Sequence, residues 1–208
     1  MGTFLRKFLA ILVLLILVVV LAITVYFSWL PRSAAPSAET VEFTPARLAR
    51  GDYLFNAVLG CPVCHSERDF SQFGAPPLPP FGGGRVCMEP GKEVFGPAVA
   101  GGLPGTICFR NITPHASGIG TWSDGEILRA MREGIDHDGN ALFPIMPAYI
   151  YRHLSDEDAH SVLTYVRQLD PVDNPLPDTE VNFPLNWLMR LLPRPLPMNP
   201  TRSPMGNT

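Results

Sequence analysis

The residues Cys61-Pro62-Val63-Cys64-His65 form a C-x-x-C-H motif, and this motif constrains the 208-residue chain more than any other feature. The spacing is the attachment signature of c-type haem. Two thiols at this distance add to the two vinyl groups of one porphyrin, and the next histidine lies beneath the iron as its proximal ligand. A C-x-x-C pair also occurs in redox dithiols and zinc sites. His65, and the lack of a second C-x-x-C in the sequence, favour one covalent haem c held by Cys61, Cys64 and His65.

A long apolar run lies near the N-terminus. Residues 8–30 contain no charged side chain, and Arg6 and Lys7 come directly before them. At about 1.5 Å per residue, a helix of this length crosses a hydrocarbon core of about 30 Å. The basic pair predicts that residues 1–7 are cytoplasmic, that residues 8–30 are a single transmembrane anchor and that the remainder is extracytoplasmic. A cleaved signal peptide is the alternative, although its apolar region usually has only about 7–15 residues.

The rest of the chain is acidic and divides into three regions. The whole chain has a formal net charge of −3, and its first 30 residues carry only the two basic charges, so a nucleic-acid partner is disfavoured. Residues 31–44 are rich in Ala, Ser and Pro and predict a linker that acts as a tether. Residues 45–170 are the predicted cytochrome domain. Residues 171–208 form a proline-rich C-terminal extension, expected to wrap over the domain or a partner in extended form.

Three helix starts can be identified from capping residues. Thr44 followed by Pro45 predicts a short helix that ends at Gly60, just before the haem motif. Ser123 with Glu126, and Ser155 with Asp158, predict helices that run to about residues 133 and 169. No convincing strand pattern is present.

The sixth iron ligand decides the function, because a methionine favours electron transfer and an open position favours ligand binding or peroxide chemistry. Met146 is the leading candidate, since Pro144 and Pro147 stiffen its loop and lower the cost of ordering it. A core-packing role for Met146 is the alternative. His115 and His137 are candidates for a bis-histidine site.

Four motifs in order carry a family resemblance: Asn111-Ile112-Thr113-Pro114, then Gly118 to Glu126, Phe143 to Tyr149, and Leu154 to Asp158. Together they resemble the c-type cytochrome family that includes the cytochrome subunits of bacterial membrane-bound alcohol and gluconate dehydrogenases. The resemblance implies an all-α fold, a class I cytochrome c bundle around one haem, with Met146 as distal ligand and metal ligand opposite His65. Those subunits usually carry three haem motifs, whereas this sequence has one.

The resemblance implies an electron carrier rather than an enzyme. We expect a cytochrome that transfers single electrons on the periplasmic side of a bacterial inner membrane. Its expected redox partners are a dehydrogenase, a quinol-oxidising complex or a terminal oxidase, and it is expected to be a subunit of a larger complex. The alternatives are a ligand-binding or peroxidase-like cytochrome with a displaceable sixth ligand, and a subunit whose haem is only structural.

Four further residues are candidates for structural roles. Cys87 and Cys108 are expected to form a disulfide in an oxidising compartment, with two free thiols as the alternative. Trp122 and Tyr149 are expected to pack beside the porphyrin, although plain core packing would account for either equally well.

Overall fold

Helices make up most of the regular structure in the computed structural model, which describes residues 2–90 and 104–196. The α-helices in these ranges are α1 (Thr3–Ser28), α2 (Pro45–Tyr53), α3 (Cys61–His65), α4 (Asp124–Glu133), α5 (Ala148–Tyr151), α6 (Asp156–Val166) and α7 (Leu185–Leu188). A π-helical turn, Leu54–Val58, continues α2, and a 3-10 turn, Met189–Leu191, continues α7. The helical part of the expected all-α fold is therefore confirmed.

The first helix stands apart from the others because all of its residues from Phe4 to Tyr26 are solvent-exposed. Its 26 residues span about 39 Å at 1.5 Å per residue, so α1 is long and apolar enough to cross a membrane. This conclusion rests on length and composition alone, and a signal sequence would meet the same criteria.

The three predicted helix starts are present with their capping hydrogen bonds. The Thr44 side chain accepts a hydrogen bond from the Arg47 amide at 3.1 Å, and Ser155 accepts one from the Asp158 amide at 3.1 Å. Ser123 and Glu126 form a complete capping box, and α4 ends at Gly134, which has a φ of +74°. Each capping side chain accepts a hydrogen bond from an amide that has no partner within the helix. Because the two residues are only three apart, the start of the helix can be predicted from the local sequence.

The core forms where α2 crosses α6. A Cβ atom placed on Gly51 would lie 2.0 Å from the Ser161 carbonyl oxygen, so only glycine allows the two backbones to approach this closely. Phe55 is fully buried beside the crossing, with its ring centroid 5.1 Å from that of Tyr165. Arg47, which donates two hydrogen bonds to the Glu157 carboxylate, links the exposed edges of the helices.

A small antiparallel sheet, which the sequence did not predict, corrects the all-α expectation. Its strands are β1 (Arg85–Met88), β2 (Gly105–Phe109) and β3 (Glu180–Val181), in the order β1-β2-β3. The register pairs Met88 with Ile107 and Gly105 with Val181. Strands of two to five residues are too short to show the alternation of side chains by which a strand is recognised in a sequence. The Cys87–Cys108 disulfide, the pairing expected from the sequence, joins β1 to β2.

Residues 31–44 are extended, as a linker would be, but they are bound to the domain instead of forming the expected free tether. The Val41 amide donates to the Asp124 carboxylate at 2.9 Å, and the Arg129 guanidinium donates to the Ala34 carbonyl at 3.3 Å. The Ser37 carbonyl oxygen lies where a Cβ atom on Gly125 would be, 2.0 Å away. We call residues 31–44 the strap, because hydrogen bonds fasten them along α4.

The described part of the C-terminal extension, residues 171–196, also lies on the domain, and residues 197–208 lie outside the described residues. The Val172 amide donates to the Thr113 hydroxyl at 3.0 Å, and the Asn174 side chain donates to the Gly83 carbonyl at 2.8 Å. The Asn182 amide donates to the Pro104 carbonyl at 2.6 Å. The extension therefore provides β3 and covers loops that have little regular structure of their own.

A Gly51→Ala substitution should lower the free energy of unfolding by about 1–3 kcal/mol, the usual cost of overpacking a core. A loss of stability would be specific to the close crossing, because a glycine-to-alanine change at an unconstrained helix position would raise the free energy of unfolding by about 1 kcal/mol. Urea unfolding of the full-length protein, followed by circular dichroism, measures the difference. Ala49→Gly, on the exposed face of the same helix, is the control for helix propensity. A Gly51→Ala protein as stable as the native protein would contradict the close crossing.

Removal of the disulfide by Cys87→Ala with Cys108→Ala should lower the free energy of unfolding by about 3 kcal/mol, because the bond closes a loop of about 20 residues in the unfolded chain. The single substitution Cys87→Ala breaks the same cross-link and is the matched control. We expect the single and double variants to lose similar stability in a denaturant titration. A single variant that keeps native stability would show that the cross-link contributes nothing.

Candidate haem site

A cavity of about 800 Å³ lies between the C-x-x-C-H helix and the loop that carries Met146. The volume is in the range of small-molecule and cofactor sites. Its walls come from α3, β2, α4, α6, the loop before α5 and the C-terminal extension. Cys61, Cys64, His65 and Met146, the four residues predicted from the sequence, all line this single cavity.

The haem motif begins at a backbone turn. Gly60, with a φ of +65°, is in the left-handed region that favours glycine, and it redirects the chain from the π-helical turn into α3. Pro62 suits the first turn of a helix because no intrahelical partner is needed there for the missing amide hydrogen. One short helix then carries Cys61, Cys64 and His65 to the cavity wall.

One hydrogen bond orients the proximal histidine candidate. The Nδ1–H of His65 donates to the backbone carbonyl of Arg110 at 2.7 Å. This bond selects the tautomer in which Nε2 keeps its lone pair and is available to a metal. Burial lowers the pKa of His65, and the bond to the Arg110 carbonyl offsets this only in part. A lowered pKa keeps the imidazole neutral, which is the form that binds metal ions.

The two motif thiols do not have the properties of a redox dithiol. Burial raises the pKa of Cys61 to about 12, and burial also raises the pKa of Cys64. Reactive cysteines in disulfide exchange have lowered pKa values, because the thiolate is the nucleophile. Buried thiols with raised pKa values are poor nucleophiles for disulfide exchange, so this environment does not favour the redox dithiol left open by the sequence.

The loop that holds Met146 is shaped by short-range hydrogen bonds. The Met146 amide donates to the Phe143 carbonyl at 3.0 Å, and the Ala148 amide donates to the Met146 carbonyl at 2.8 Å. The Met146 side chain is partly buried against the main hydrophobic core. With Pro144 and Pro147 in the same turn, the loop presents the thioether at the cavity with little freedom left to lose.

Among the methionines in residues 2–90 and 104–196, two besides Met146 line the cavity. Met131 lines it from α4 and is buried in the main core, and Met189 lines it from the 3-10 turn after α7. The sequence offered no signal for Met189, because only the fold of the C-terminal extension brings it to this wall. The bis-histidine alternative is not supported, since neither His115 nor His137 is among the lining residues.

The two aromatic candidates have different positions. Trp122 lines the cavity, and its ring centroid lies 4.6 Å from that of His137. Tyr149 is 65% exposed and is not among the residues that line the cavity, so its packing beside a porphyrin stays a prediction. Tyr151 lines the cavity instead, and its hydroxyl donates to the Leu59 carbonyl at 2.8 Å. Burial raises the pKa of Tyr151, which keeps the phenol protonated as a donor.

Arg110 and Asn111 connect the cavity to the C-terminal extension. The Arg110 side chain forms an ion pair with Asp178, while its carbonyl receives the His65 bond. The Asn111 side chain donates to the Val172 carbonyl at 2.7 Å, and its oxygen accepts from the Thr113 amide at 2.9 Å. Both residues belong to the cavity lining, and their side-chain bonds tie that wall to the C-terminal extension.

The residues at this cavity fit a covalently attached haem. Two thiols and an imidazole stand at the motif spacing on one wall, a thioether is on a separate loop, and most of the remaining lining is apolar. Imidazole and thioether are the axial ligands found in electron-transfer cytochromes c. The His65–Arg110 bond supplies the outer hydrogen bond that such a histidine ligand usually makes.

Known proteins that are similar to this chain include cytochrome subunits of several dehydrogenases. The chain is 34% identical over 156 residues to the fructose dehydrogenase cytochrome subunit of Gluconobacter japonicus, covering 72% of this chain and 28% of that subunit. It is 32% identical over 143 residues to the gluconate 2-dehydrogenase cytochrome c subunit of Pantoea cypripedii, covering 68% of this chain and 27% of that subunit. It is 31% identical over 128 residues to the cytochrome c subunit of a quinone-dependent alcohol dehydrogenase of Komagataeibacter europaeus, covering 55% of this chain and 27% of that subunit.

The chain thus spans somewhat over a quarter of the length of each of these relatives. No family model matches the chain. The similarity nevertheless extends over more than two thirds of this chain for the fructose and gluconate dehydrogenase subunits. The chain is therefore a cytochrome c that resembles the cytochrome subunits of bacterial fructose and gluconate dehydrogenases.

Proposed function

We propose that this protein is a membrane-anchored, mono-haem electron carrier. In this proposal Cys61 and Cys64 attach one haem c, His65 is the proximal ligand and Met146 is the distal ligand. The single observation that carries the proposal is that one cavity is lined by both thiols, the imidazole and the Met146 thioether. The similarity to cytochrome subunits of dehydrogenases supports a role in electron transfer.

A haem bound here would supply a reversible one-electron couple. The protein residues would tune that couple and protect it. His65, whose tautomer is set by the Arg110 carbonyl, would hold the iron through Nε2, and Met146 on its stiff loop would hold it through sulfur. Buried Ile107, Phe109 and Leu163 exclude water from the cavity walls. An apolar shell and a thioether ligand both favour the ferrous state and raise the reduction potential.

The anchor and the partners are further parts of the proposal. The length and apolar composition of α1 support a single membrane span, and Arg6 and Lys7 support an N-terminus in the cytoplasm and a haem domain on the periplasmic side. The names of the relatives favour a dehydrogenase as electron donor or as the complex to which this chain belongs. The electrons would pass on to an oxidase or to another cytochrome.

Replacing each cavity methionine by leucine tests the ligand and the function together, because leucine keeps the volume and removes the sulfur. Met146→Leu should open the sixth position, so that the ferrous protein binds carbon monoxide and its reduction potential falls. Met131→Leu and Met189→Leu are matched controls from the same cavity. We expect both controls to remain unreactive toward carbon monoxide, like the native protein, in absorption spectra of the reduced holoprotein.

Two results would contradict the proposal. A native protein that binds carbon monoxide as readily as Met146→Leu has a displaceable sixth ligand, and the ligand-binding or peroxidase-like alternative would replace electron transfer. If instead Met131→Leu or Met189→Leu opens the site, the ligand assignment is wrong. The structural-haem alternative predicts a haem that stays in one oxidation state during turnover of the native membrane, which absorption spectroscopy would detect.

A further inference from the structure

The C-terminal end of α1 packs against a short segment of the C-terminal extension. The rings of Phe27 and Trp187 are stacked, with their centroids 5.0 Å apart. The Arg190 guanidinium donates a hydrogen bond to the carbonyl of Leu30, a residue that is itself buried. Phe183 also contacts Trp187, with ring centroids 5.6 Å apart. Residues 183–192, which we call the amphipathic segment, therefore lie beside the point where the apolar helix ends.

The amphipathic segment has two faces with different neighbours. Its helical turns are α7 and the 3-10 turn that follows directly. Asn186, Met189 and Arg190 line the haem cavity. Leu185, Leu188 and Leu192 recur at intervals of three and four residues and are exposed. Positions three and four apart share one side of a helix, so the exposed leucines form a separate apolar stripe.

The composition around this stripe is typical of the boundary between lipid and water. Within the sequence of this segment, residues 182–196, the only ionisable side chains are Arg190 and Arg194, and Arg32 follows the end of α1. Two exposed aromatic rings lie near the Phe27–Trp187 contact: Phe183 contacts Trp187, and Trp29 follows Phe27 by two residues. Leucine, tryptophan and arginine together favour apolar insertion beside anionic headgroups.

We propose that the amphipathic segment lies in the headgroup region of the membrane that α1 crosses, with Leu185, Leu188 and Leu192 directed toward the acyl chains. Lipid is favoured over a protein partner because the segment that carries the stripe packs against the end of α1 through Trp187 and Arg190, and the exposed Arg194 follows the stripe. The segment is one helix thick, about 10 Å, so the haem cavity behind it lies close to the lipid surface. The inference rests on the membrane anchor of the proposed function.

Cysteine accessibility in the full-length holoprotein tests this position. Leu188→Cys places a thiol on the stripe, and Leu78→Cys places one on a domain loop. The native leucines are matched in exposure, at 46% and 41%. Val18→Cys in the middle of α1 reports the anchor itself. Each variant, with an intact haem spectrum, is reconstituted with its domain outward in liposomes of phosphatidylethanolamine and phosphatidylglycerol, and its alkylation by a membrane-impermeant maleimide is timed.

We expect the thiol at position 188 to react at least tenfold more slowly than the thiol at position 78, and the thiol at position 18 not to react. Equal rates at positions 188 and 78, with position 18 protected, would overturn the inference while the anchor stands. A reactive thiol at position 18 would overturn the anchor and the inference with it. Protection of position 188 in native membranes but not in liposomes would show that a protein covers the stripe, and would also overturn the lipid assignment.

Discussion

One hydrogen bond, to the carbonyl of Arg110, orients the imidazole of His65. The small sheet and the C-terminal extension determine where that carbonyl lies. Arg110 follows directly after β2, whose position is set by pairing with β1 and β3 and by the disulfide at Cys108. Asn111 then ties the next residues to the C-terminal extension. A metal ligand needs its outer hydrogen bond in a fixed place, because that bond sets both tautomer and ring orientation. The sheet and the extension therefore help to position His65, although neither contains any of the four residues proposed to hold the haem.

Local signals were readable from the sequence, and long-range pairing was not. Thr44, Ser123 and Ser155 begin helices because each side chain bonds an amide three residues later, an interaction contained within a tetrapeptide. The pairing of Gly105 with Val181 joins residues far apart in sequence, and a two-residue strand carries no periodic signal. The strap shows the same limit, since its composition predicts a tether while its bonds to Asp124 and Arg129 depend on where α4 lies.

Among the site residues, too, some were predictable from local sequence and others were not. The haem motif is recognised by its spacing and Met146 by its flanking prolines, so both could be named as candidates without a structure. Tyr149 and Tyr151 could not be distinguished, because they are two residues apart on α5 and such positions face different sides of a helix. The structure assigns the inner side to Tyr151. Met189 was missed because its place at the cavity depends on the path of the C-terminal extension, which its local sequence does not reveal.

The strap and the C-terminal extension both limit how the domain can move relative to α1. A free tether after α1 would let the domain rotate, and it would meet redox partners in every orientation. The strap is instead bonded along α4, and the extension returns to contact Phe27 and Leu30 at the end of α1. If α1 crosses a membrane, contacts on both sides of its end restrict the tilt of the domain. The same wall of the haem cavity then faces the membrane in every molecule, which favours electron exchange with partners whose own redox centres lie near the lipid surface.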